Sequence, residues 1–273
     1  MAIQLNERDH LIFNLINEHQ VLLEKHISWF IAEENKPVLI RDRLRKLFYL
    51  DYLLCHRHGT KLPWWTTPTK PLVYLLSDMA KNETGIDHDE VDRYDAEWQR
   101  HHLEVANLRM LGLISQKNEK ITQFEWSTCS DEERKKWGID ARVSFVCNGI
   151  AYDIGIANRT SLTDSCLENM EASLKDAGIE MILMVARDDE SKKALQEMIA
   201  SKTDSSMAKY CFFATHKKLY KKGLISAKWE NAETRELNLF PGRASEPKKQ
   251  EGENFAGGQG QSQVQIGTMS RSA

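Results

Sequence analysis

The chain has 273 residues, of which 41% are apolar and 28% are charged, the composition of a folded globular protein. Its 37 Lys and Arg against 40 Asp and Glu give a net charge of −3, which excludes a protein that is basic over its whole surface. No stretch approaches the ~20 apolar residues that span a bilayer, and the first residues lack the order of a signal peptide, so we expect a cytoplasmic protein without membrane insertion.

Within this balance the charges are segregated along the chain. Between Lys36 and Lys61 there are seven Lys or Arg and two Asp, whereas between Glu83 and Glu104 there are eight acidic residues and two Arg. Such a distribution indicates a basic face for phosphates and an acidic region elsewhere, although ordinary solvated surface gives the same pattern.

Three helices are predicted in the first 50 residues. Asn6 can cap the first helix, with Asp9 at the third position of a capping box. A second helix is predicted over residues 23–32 and a third over residues 40–50, after a break at Pro37. The apolar residues of the first helix recur at helical spacing, at Leu11, Ile12, Leu15 and Ile16.

Two strands are predicted next, at residues 52–55 and 72–76, joined by a loop that contains Trp64 and Trp65. Three helices and two strands around a polar loop is the element order of a winged helix, in which the third helix enters the major groove. Arginine suits phosphate and guanine contacts because its planar fork donates two parallel hydrogen bonds. The candidate DNA-binding residues of this part are Arg41, Arg43, Arg45, Lys46, Arg57 and Lys61. The two tryptophans either stack on bases or cover the core of the domain.

The rest of the chain is predicted to combine strands with helices. The predicted helices cover residues 88–112, 163–176 and 189–200, and the predicted strands cover 121–125, 141–147, 151–157, 181–186 and 210–214. This order indicates an α/β or α+β domain with a mixed sheet. We therefore predict a winged-helix domain over 1–82, an α/β domain over 83–240 and a disordered tail over 241–273, which is rich in Gly, Ser, Gln and Glu.

Taken together, these segments resemble the replication-relaxation family, proteins of plasmids and mobile elements that carry a winged helix. The resemblance covers about residues 5 to 230 and rests on short motifs at 43–47 (RLRKL), 101–108 (HHLEVANL), 137–141 (WGIDA) and 152–154 (YDI). Within that family the chain is most similar to MobC-type plasmid mobilisation relaxases, which nick a plasmid at its transfer origin. The resemblance implies a catalytic domain similar to restriction endonucleases.

A nuclease of that PD-(D/E)xK type needs an Asp at the end of one hairpin strand and a second carboxylate on the next strand. Together they hold Mg²⁺ or Mn²⁺, which prefer oxygen ligands, and a basic residue helps to activate water. Asp140 and Asp153 flank the predicted hairpin and are the candidate metal ligands and catalytic residues. Glu104, on the preceding helix, is the third candidate ligand, as helix glutamates are in that fold.

The chain departs from this pattern at two positions. Ile139 replaces the proline before the first Asp, and Gly155 stands where a second carboxylate or a lysine is expected. The basic role then passes to Arg159, which stays protonated and stabilises phosphate charge rather than acting as a base. His101 and His102 are candidate ligands or proton-transfer groups, with His102 taken as catalytic, although one of the two is expected to be a buried packing residue.

A basic cluster follows the last predicted strand, and its candidates for holding the DNA backbone are Lys217 and Lys218. A solvated basic turn explains the same residues. Binding through such phosphate contacts weakens steeply with salt.

Three functional hypotheses follow. In the first, the chain is a relaxase or nickase that cuts one strand of double-stranded plasmid DNA at a transfer origin, with Mg²⁺ or Mn²⁺ and with a coupling protein or other relaxosome components as partners. In the second, it is a non-catalytic origin-binding accessory protein of replication or mobilisation, which the glycine at 155 favours. A transcriptional regulator that binds a palindromic site as a dimer is a third and weaker hypothesis.

Overall fold

The protein is described by a computed structural model over residues 4–34, 37–85, 93–201 and 207–241. Its first part comprises α1 (Glu7–His19), β1 (Leu22–Leu23), α2 (Glu24–Ala32), α3 (Pro37–Tyr49), β2 (Leu53–Arg57), β3 (Leu72–Leu76) and α4 (Asp78–Thr84). The predicted tail lies outside the described residues, apart from Pro241.

The starts of α1 and α3 illustrate how local sequence sets these helices. At α1 the predicted capping box is confirmed: the side chain of Asn6 accepts from the backbone N of Asp9, and the side chain of Asp9 accepts from the backbone N of Asn6. At α3 the helix begins at Pro37, three residues before the predicted start. A proline fits the first turn of a helix because the N–H that it lacks has no partner there.

The first part is completed by a three-stranded antiparallel sheet in the order β1-β3-β2. Leu22 of β1 is in register with Tyr74 of β3, and Leu53 of β2 is in register with Leu76 of β3. The three helices pack on this sheet around a buried core that includes Ile12, Phe13, Ile16, Leu22, Ile27, Ile40, Leu44, Leu47 and Leu53.

The second part comprises α5 (Ala96–Lys117), β4 (Thr122–Thr128), α6 (Asp131–Trp137), β5 (Ala141–Cys147), β6 (Ile150–Asn158), α7 (Asp164–Asp176), β7 (Met181–Ala186), α8 (Asp189–Ser201), α9 (Met207–Tyr210), β8 (Cys211–Thr215), α10 (His216–Lys222), β9 (Trp229–Glu230) and β10 (Glu236–Leu237). The longest helix, α5, has 22 residues. Neither α5 nor any other helix in the described part of the chain is long and apolar enough to span a membrane.

A mixed seven-stranded sheet in the order β10-β9-β8-β7-β6-β5-β4 organises this second part. The strands β4, β5 and β6 form an antiparallel meander, whereas β6, β7 and β8 are parallel to one another. The fold is thus mixed α and β with a mixed sheet, as the alternation of predicted elements indicates.

Each face of this sheet carries its own core because successive side chains of a strand point to opposite faces. Ile154 and Ile156 of β6 belong to the core shared with Leu108 and Leu111 of α5. Ala157, of opposite parity, belongs to the other core, which also contains residues of α7 and α8 such as Leu167, Met170, Leu195 and Ile199.

A fourth apolar cluster joins the two parts of the chain. In it, Leu62 and Trp64 of the β2–β3 loop (residues 58–71) pack with Val73 of β3 and Leu103 of α5. All of these residues belong to one compact unit, Met1–Gly242, within which the predicted boundary at residue 82 falls. The burial of Trp64, which is 4% exposed, favours the core role over base stacking for that side chain.

Candidate functional site

Polar side chains follow the carboxyl ends of the three neighbouring parallel strands. Asn158 ends β6 and Arg159 follows it, Arg187 follows β7, and His216 follows β8. Asp140, directly before the antiparallel strand β5, reaches the same edge because its backbone N donates to the carbonyl of Ile156. Ligands of open α/β sheets bind outside the carboxyl ends of the strands, so this edge is the candidate site.

Asp140 lies at the centre of this edge and is only 1% exposed. Its Oδ2 accepts from the backbone N of Asn158 at 2.7 Å and from Nη1 of Arg159 at 2.5 Å, and its Oδ1 lies 3.0 Å from Nε2 of His101. Burial raises the pKa of this carboxyl, but Arg159 and His101 lower the pKa more, so that it lies well below its ordinary value. Asp140 is therefore an anion at neutral pH, and its oxygens are committed to donors of the protein.

Glu104 of α5 is the second buried carboxylate of the site. Its Oε1 accepts from Nε of Arg100 at 2.9 Å, and its Oε2 accepts from Nδ2 of Asn158 at 3.0 Å. Burial raises the pKa of Glu104, but His216, Asn158 and Arg100 together lower it by a larger amount. The pKa of this carboxyl is therefore below its ordinary value.

His216 completes this network in a fully buried position, with its Nε2 2.9 Å from Oδ1 of Asn158. Burial lowers the pKa of His216 to about 4, although Glu104 raises it. The imidazole is therefore neutral at pH 7. Asn158 thus links Asp140, Glu104 and His216 in one hydrogen-bonded cluster.

Two clefts open beside the cluster and share His101 and Arg159, so we describe them together as the strand-end groove. The larger cleft, of about 500 Å³, is lined by Trp98, His101, Asp131, Arg134, Lys135 and Arg159. The smaller cleft, of about 300 Å³, adds Glu97, Glu104, Asn158, Thr160, Ser161 and Arg187. Of the predicted catalytic residues, the groove is lined by Glu104 and Arg159.

Asp153 is not brought to this edge. It lies on β6 opposite Ser144 and forms a bidentate ion pair with Arg142, with Nε 2.9 Å from Oδ1. Asn158, whose backbone N binds Asp140, lies five residues further along β6, which is about 16 Å in an extended strand. Because of this distance and of the pairing of Asp153 with Arg142, the structure gives no support to a metal site shared by Asp140 and Asp153.

Gly155 has no room for the carboxylate or lysine that the nuclease pattern places there. A Cβ at this position would lie 3.1 Å from Cγ2 of Ile139 and 3.5 Å from Cγ1 of Ile182. Ile139, which stands in place of the motif proline, fills that space as part of the core. The two departures from the pattern are therefore coupled by packing.

The two adjacent histidines of α5 have different surroundings. His101, with 28% of its side chain exposed, lines the groove and contacts Asp140. His102 is buried against Trp98, with 4.5 Å between ring centroids, and burial lowers its pKa well below the ordinary value. One histidine is thus a packing residue, as predicted, but it is His102, the predicted catalytic residue, that does not line the groove.

The described residues do not fit a divalent cation in this arrangement. They include no group of three His, Cys, Asp or Glu side chains placed to hold a metal ion. Both oxygens of Asp140 face cationic or N–H donors, and Arg134 lies a further 3.7 Å from Oδ1. The ligand set predicted for Mg²⁺ or Mn²⁺ (Glu104, Asp140 and Asp153) stays a prediction without geometric support.

The solvent-facing side of α3 is a second candidate surface. Leu44 and Leu47 are fully buried, which leaves the opposite side of the helix in solvent. The exposed residues there include Val38 (67% exposed), Arg41, Arg45, Lys46 and Tyr49 (74% exposed). The predicted DNA-binding residues of this helix, apart from Arg43, therefore reach solvent.

Arg43 is instead committed to the interior. Its guanidinium forms a bidentate ion pair with Asp9 of α1, which is fully buried. Arg41 is exposed, but its guanidinium binds Glu24 of α2, with Nη2 2.9 Å from Oε1. Arg45 makes a looser pair with Asp42 at 3.5 Å on the same helix. Arg45 and Lys46 are thus the most available cations of the surface.

The β2–β3 loop lies beyond β2 and carries further exposed positions. Arg57 and Lys61 are exposed, and Arg57 donates to the carbonyl of Lys70 at 2.6 Å, which closes the base of the loop. At the other end of the chain, Lys217 is exposed, whereas Lys218 is bound by Glu236 at 2.8 Å. Lys218 is therefore a poor candidate for a DNA contact.

Comparison of the chain with protein-family models, with curated proteins and with solved structures gives no match. The resemblance to the replication-relaxation family therefore stays a prediction.

Three residues of the site, Asn158, Arg187 and His216, were missed by sequence reasoning. Their common signal is that each stands at or directly after the last residue of a buried apolar strand. That signal becomes usable only when the strands are known to be parallel neighbours, because only then do their carboxyl ends meet at one edge.

Proposed function

We propose that this protein binds double-stranded DNA through α3 and the β2–β3 loop, as a winged-helix protein of a plasmid transfer origin. The observation that carries this proposal is the solvent-facing side of α3, where Arg45 and Lys46 stand beside the exposed Val38 and Tyr49. This combination suits the major groove, where arginine reads guanine and apolar side chains contact the thymine methyl group.

The element order supports the same proposal. Three helices precede a hairpin, and β1, between the first two helices, pairs with the last strand β3. The buried ion pair of Arg43 with Asp9 ties α3 to α1, which holds the recognition surface rigidly. The exposed β2–β3 loop would then contact the DNA backbone as the wing.

For the α/β part we propose a non-catalytic role in which it recruits other replication or transfer proteins, such as a coupling protein or other relaxosome components. The support comes from Asp140, whose negative charge is neutralised by Arg159 and Arg134 and whose Oδ1 also lies 3.0 Å from Nε2 of His101. A buried carboxylate whose charge is already neutralised by protein cations holds those side chains in place and has little tendency to bind a metal ion.

The test begins with selection of duplexes from a random library on the full chain, followed by affinity measurements on the enriched duplex. Arg45→Ala should weaken binding by about 10-fold, the effect of one good base contact. Arg235→Ala is the matched control, since this arginine is also highly exposed, with 76% of its side chain accessible, but lies between β9 and β10. No enrichment, or equal losses in both variants, would refute the proposal.

A relaxase or nickase is the second candidate function. Glu104 and Asp140 favour it, since both are buried carboxylates at the edge of the groove that Arg159 lines. Incubation of the protein with supercoiled plasmid carrying the enriched sequence, with and without Mn²⁺, tests it. Relaxed circles that disappear in Glu104→Gln and persist in Asp153→Asn would establish cutting; absence of relaxed circles under both conditions would leave the non-catalytic proposal.

A further inference from the structure

The strand-end groove combines an aromatic wall with cationic groups, which is the chemistry of a site for single-stranded nucleic acid. Trp98 lines the larger cleft together with Arg134, Lys135 and Arg159. The smaller cleft continues past Arg159 to Arg187, Thr160 and Ser161. The cationic groups therefore extend along the groove on both sides of the residues that the two clefts share.

We propose that this groove binds an unpaired segment of DNA, with a base stacked on Trp98 and the phosphates next to it held by Lys135 and Arg134. The proposal rests on the proposed function, in which the same chain binds duplex DNA through α3, but it concerns a different surface.

The indole of Trp98 is suitably placed for stacking. It is half-buried, packs against His102 and against the apolar cluster that contains Leu62 and Leu103, and also lines the larger cleft. Its neighbour there, His101, is partly exposed. Because paired bases hide their faces inside the helical stack, an indole at the wall of a cleft meets an unpaired base rather than a duplex.

Two cations of the groove, Arg134 and Arg187, can exchange an exposed partner for phosphate. Arg134 pairs with Asp131 at 2.8 Å and Arg187 pairs with Glu97 at 2.5 Å, and both acids are highly exposed, at 50% and 57% of their side chains. Ion pairs with such exposed partners contribute little to stability, so a phosphate oxygen can displace the carboxylate.

Lys135 is the most available cation of the groove. Its side chain is exposed and forms no ion pair with any residue that the structure describes. Lining side chains with a formal charge comprise four cations (Arg134, Lys135, Arg159 and Arg187) and three anions (Glu97, Glu104 and Asp131). Asp140, which lies behind the groove wall, balances the fourth cation, so the positive excess that favours a polyanion arises when phosphate displaces the two exposed acids, Glu97 and Asp131.

The experiment measures binding of fluorescein-labelled oligothymidylate to the full chain by fluorescence anisotropy. Trp98→Ala should weaken binding about 10-fold, the effect of losing one stacked base, and Trp98→Phe should restore most of it. Lys135→Ala should weaken binding less and lower the slope of log affinity against log salt by about 0.7, the value for one phosphate of a single strand. Lys193→Ala is the matched lysine control because it lies on α8 with 74% of its side chain exposed.

The outcomes separate this inference from the proposed function. Loss of oligothymidylate binding in Trp98→Ala and Lys135→Ala, with duplex binding unchanged, supports the groove site. If Trp98→Ala does not fold, Lys135→Ala and the salt slope decide.

Wild-type affinity in both variants, or no oligothymidylate binding by the wild type, overturns the groove site even when the duplex still binds. Equal affinity for thymidine monophosphate and for the oligonucleotide also overturns it, because the groove then takes a free nucleotide. Failure of duplex binding alone overturns the proposed function of α3.

Discussion

Replacement of Asp140 by Asn is the most informative single perturbation of the site. The substitution keeps the shape of the side chain and an acceptor oxygen for the backbone N of Asn158, but it removes the charge that faces Arg159 and His101. Arg159 is largely buried, with 16% of its side chain exposed, so its guanidinium would lose its main counter-charge in a poorly solvated position.

Removal of one partner of a buried ion pair costs about 3 to 5 kcal/mol. Because Arg159 keeps its hydrogen bonds to the carbonyls of Asn158 and Gly138, we expect the lower value, a loss of about 3 kcal/mol in the free energy of unfolding. For a unit of this size, such a loss lowers the melting temperature by about 6 to 12 °C.

Urea unfolding followed by circular dichroism measures this difference at pH 7 and again at lower pH. The pKa of Asp140 is lowered in the folded protein, so its stabilising effect is present above the unfolded pKa of about 3.9 and is lost as the pH falls below that value. The gap between wild type and Asp140→Asn should therefore shrink in acid.

Asp153→Asn is the control, since Asp153 pairs with an arginine whose side chain is 46% exposed, and it should lose no more than about 1 kcal/mol. An Asp140→Asn variant as stable as wild type, or more stable, would refute the reasoning and would indicate a strained, functional carboxylate instead.

Other predictions concern pH and packing. Burial lowers the pKa of His26 to about 3 and that of His216 to about 4. Both histidines therefore favour the folded protein above the unfolded pKa of about 6.5, and the free energy of unfolding should fall by about 2 kcal/mol per histidine between pH 7 and pH 5. Urea unfolding at the two pH values measures this difference. Gly155→Ala should destabilise the protein by about 1 to 2 kcal/mol in the same assay, because the added methyl group would lie 3.1 Å from Ile139; an unchanged stability would contradict the tight packing. Thr163→Ala should lose about 1 kcal/mol, since the Thr163 hydroxyl accepts from the backbone N of Cys166 at the start of α7, whereas Ser at this position should retain most of the stability.

The elements with strong periodicity could be predicted from the sequence. The strands at 141–147, 181–186 and 72–76 were predicted with the bounds that the structure has, because a run of β-branched and apolar residues between polar residues marks a buried strand. The helix α7 was predicted one residue too long, because its N-cap residue Thr163 was counted as part of the helix.

Short elements without such a pattern were missed. Helix α6 has no buried residue, so its sequence DEERKKW carries no apolar periodicity, although its capping box at Ser130 and Glu133 was a readable start signal. The strands β9 and β10 are two residues long and pair with each other across a short turn, so neither is long enough to show an alternating pattern. The predicted start of α5 at residue 88 lies outside the described residues, and the described helix runs from Ala96 to Lys117.

Part of the site could also be predicted. Glu104, Asp140 and Arg159 were selected from the sequence and are brought to one edge of the sheet. Asp153 was selected because it flanks the same hairpin, but the register of β6 places it opposite Ser144, five residues before Asn158 and away from the edge. The position of a strand residue relative to the edge of a sheet is fixed only once the register of the strand is known.

The contact between the rings of Trp64 and His216, at 5.7 Å between centroids, has a consequence for engineering. Through this contact the β2–β3 loop of the first part of the chain covers His216, which belongs to the hydrogen-bonded cluster of the second part. Transplanting the first 85 residues onto a foreign scaffold would expose Trp64 and Leu62 and uncover the buried imidazole at the same time. The two parts are therefore not independent modules. A chimera should keep the contact between Trp64 and His216 by including the β2–β3 loop together with α5 and α10.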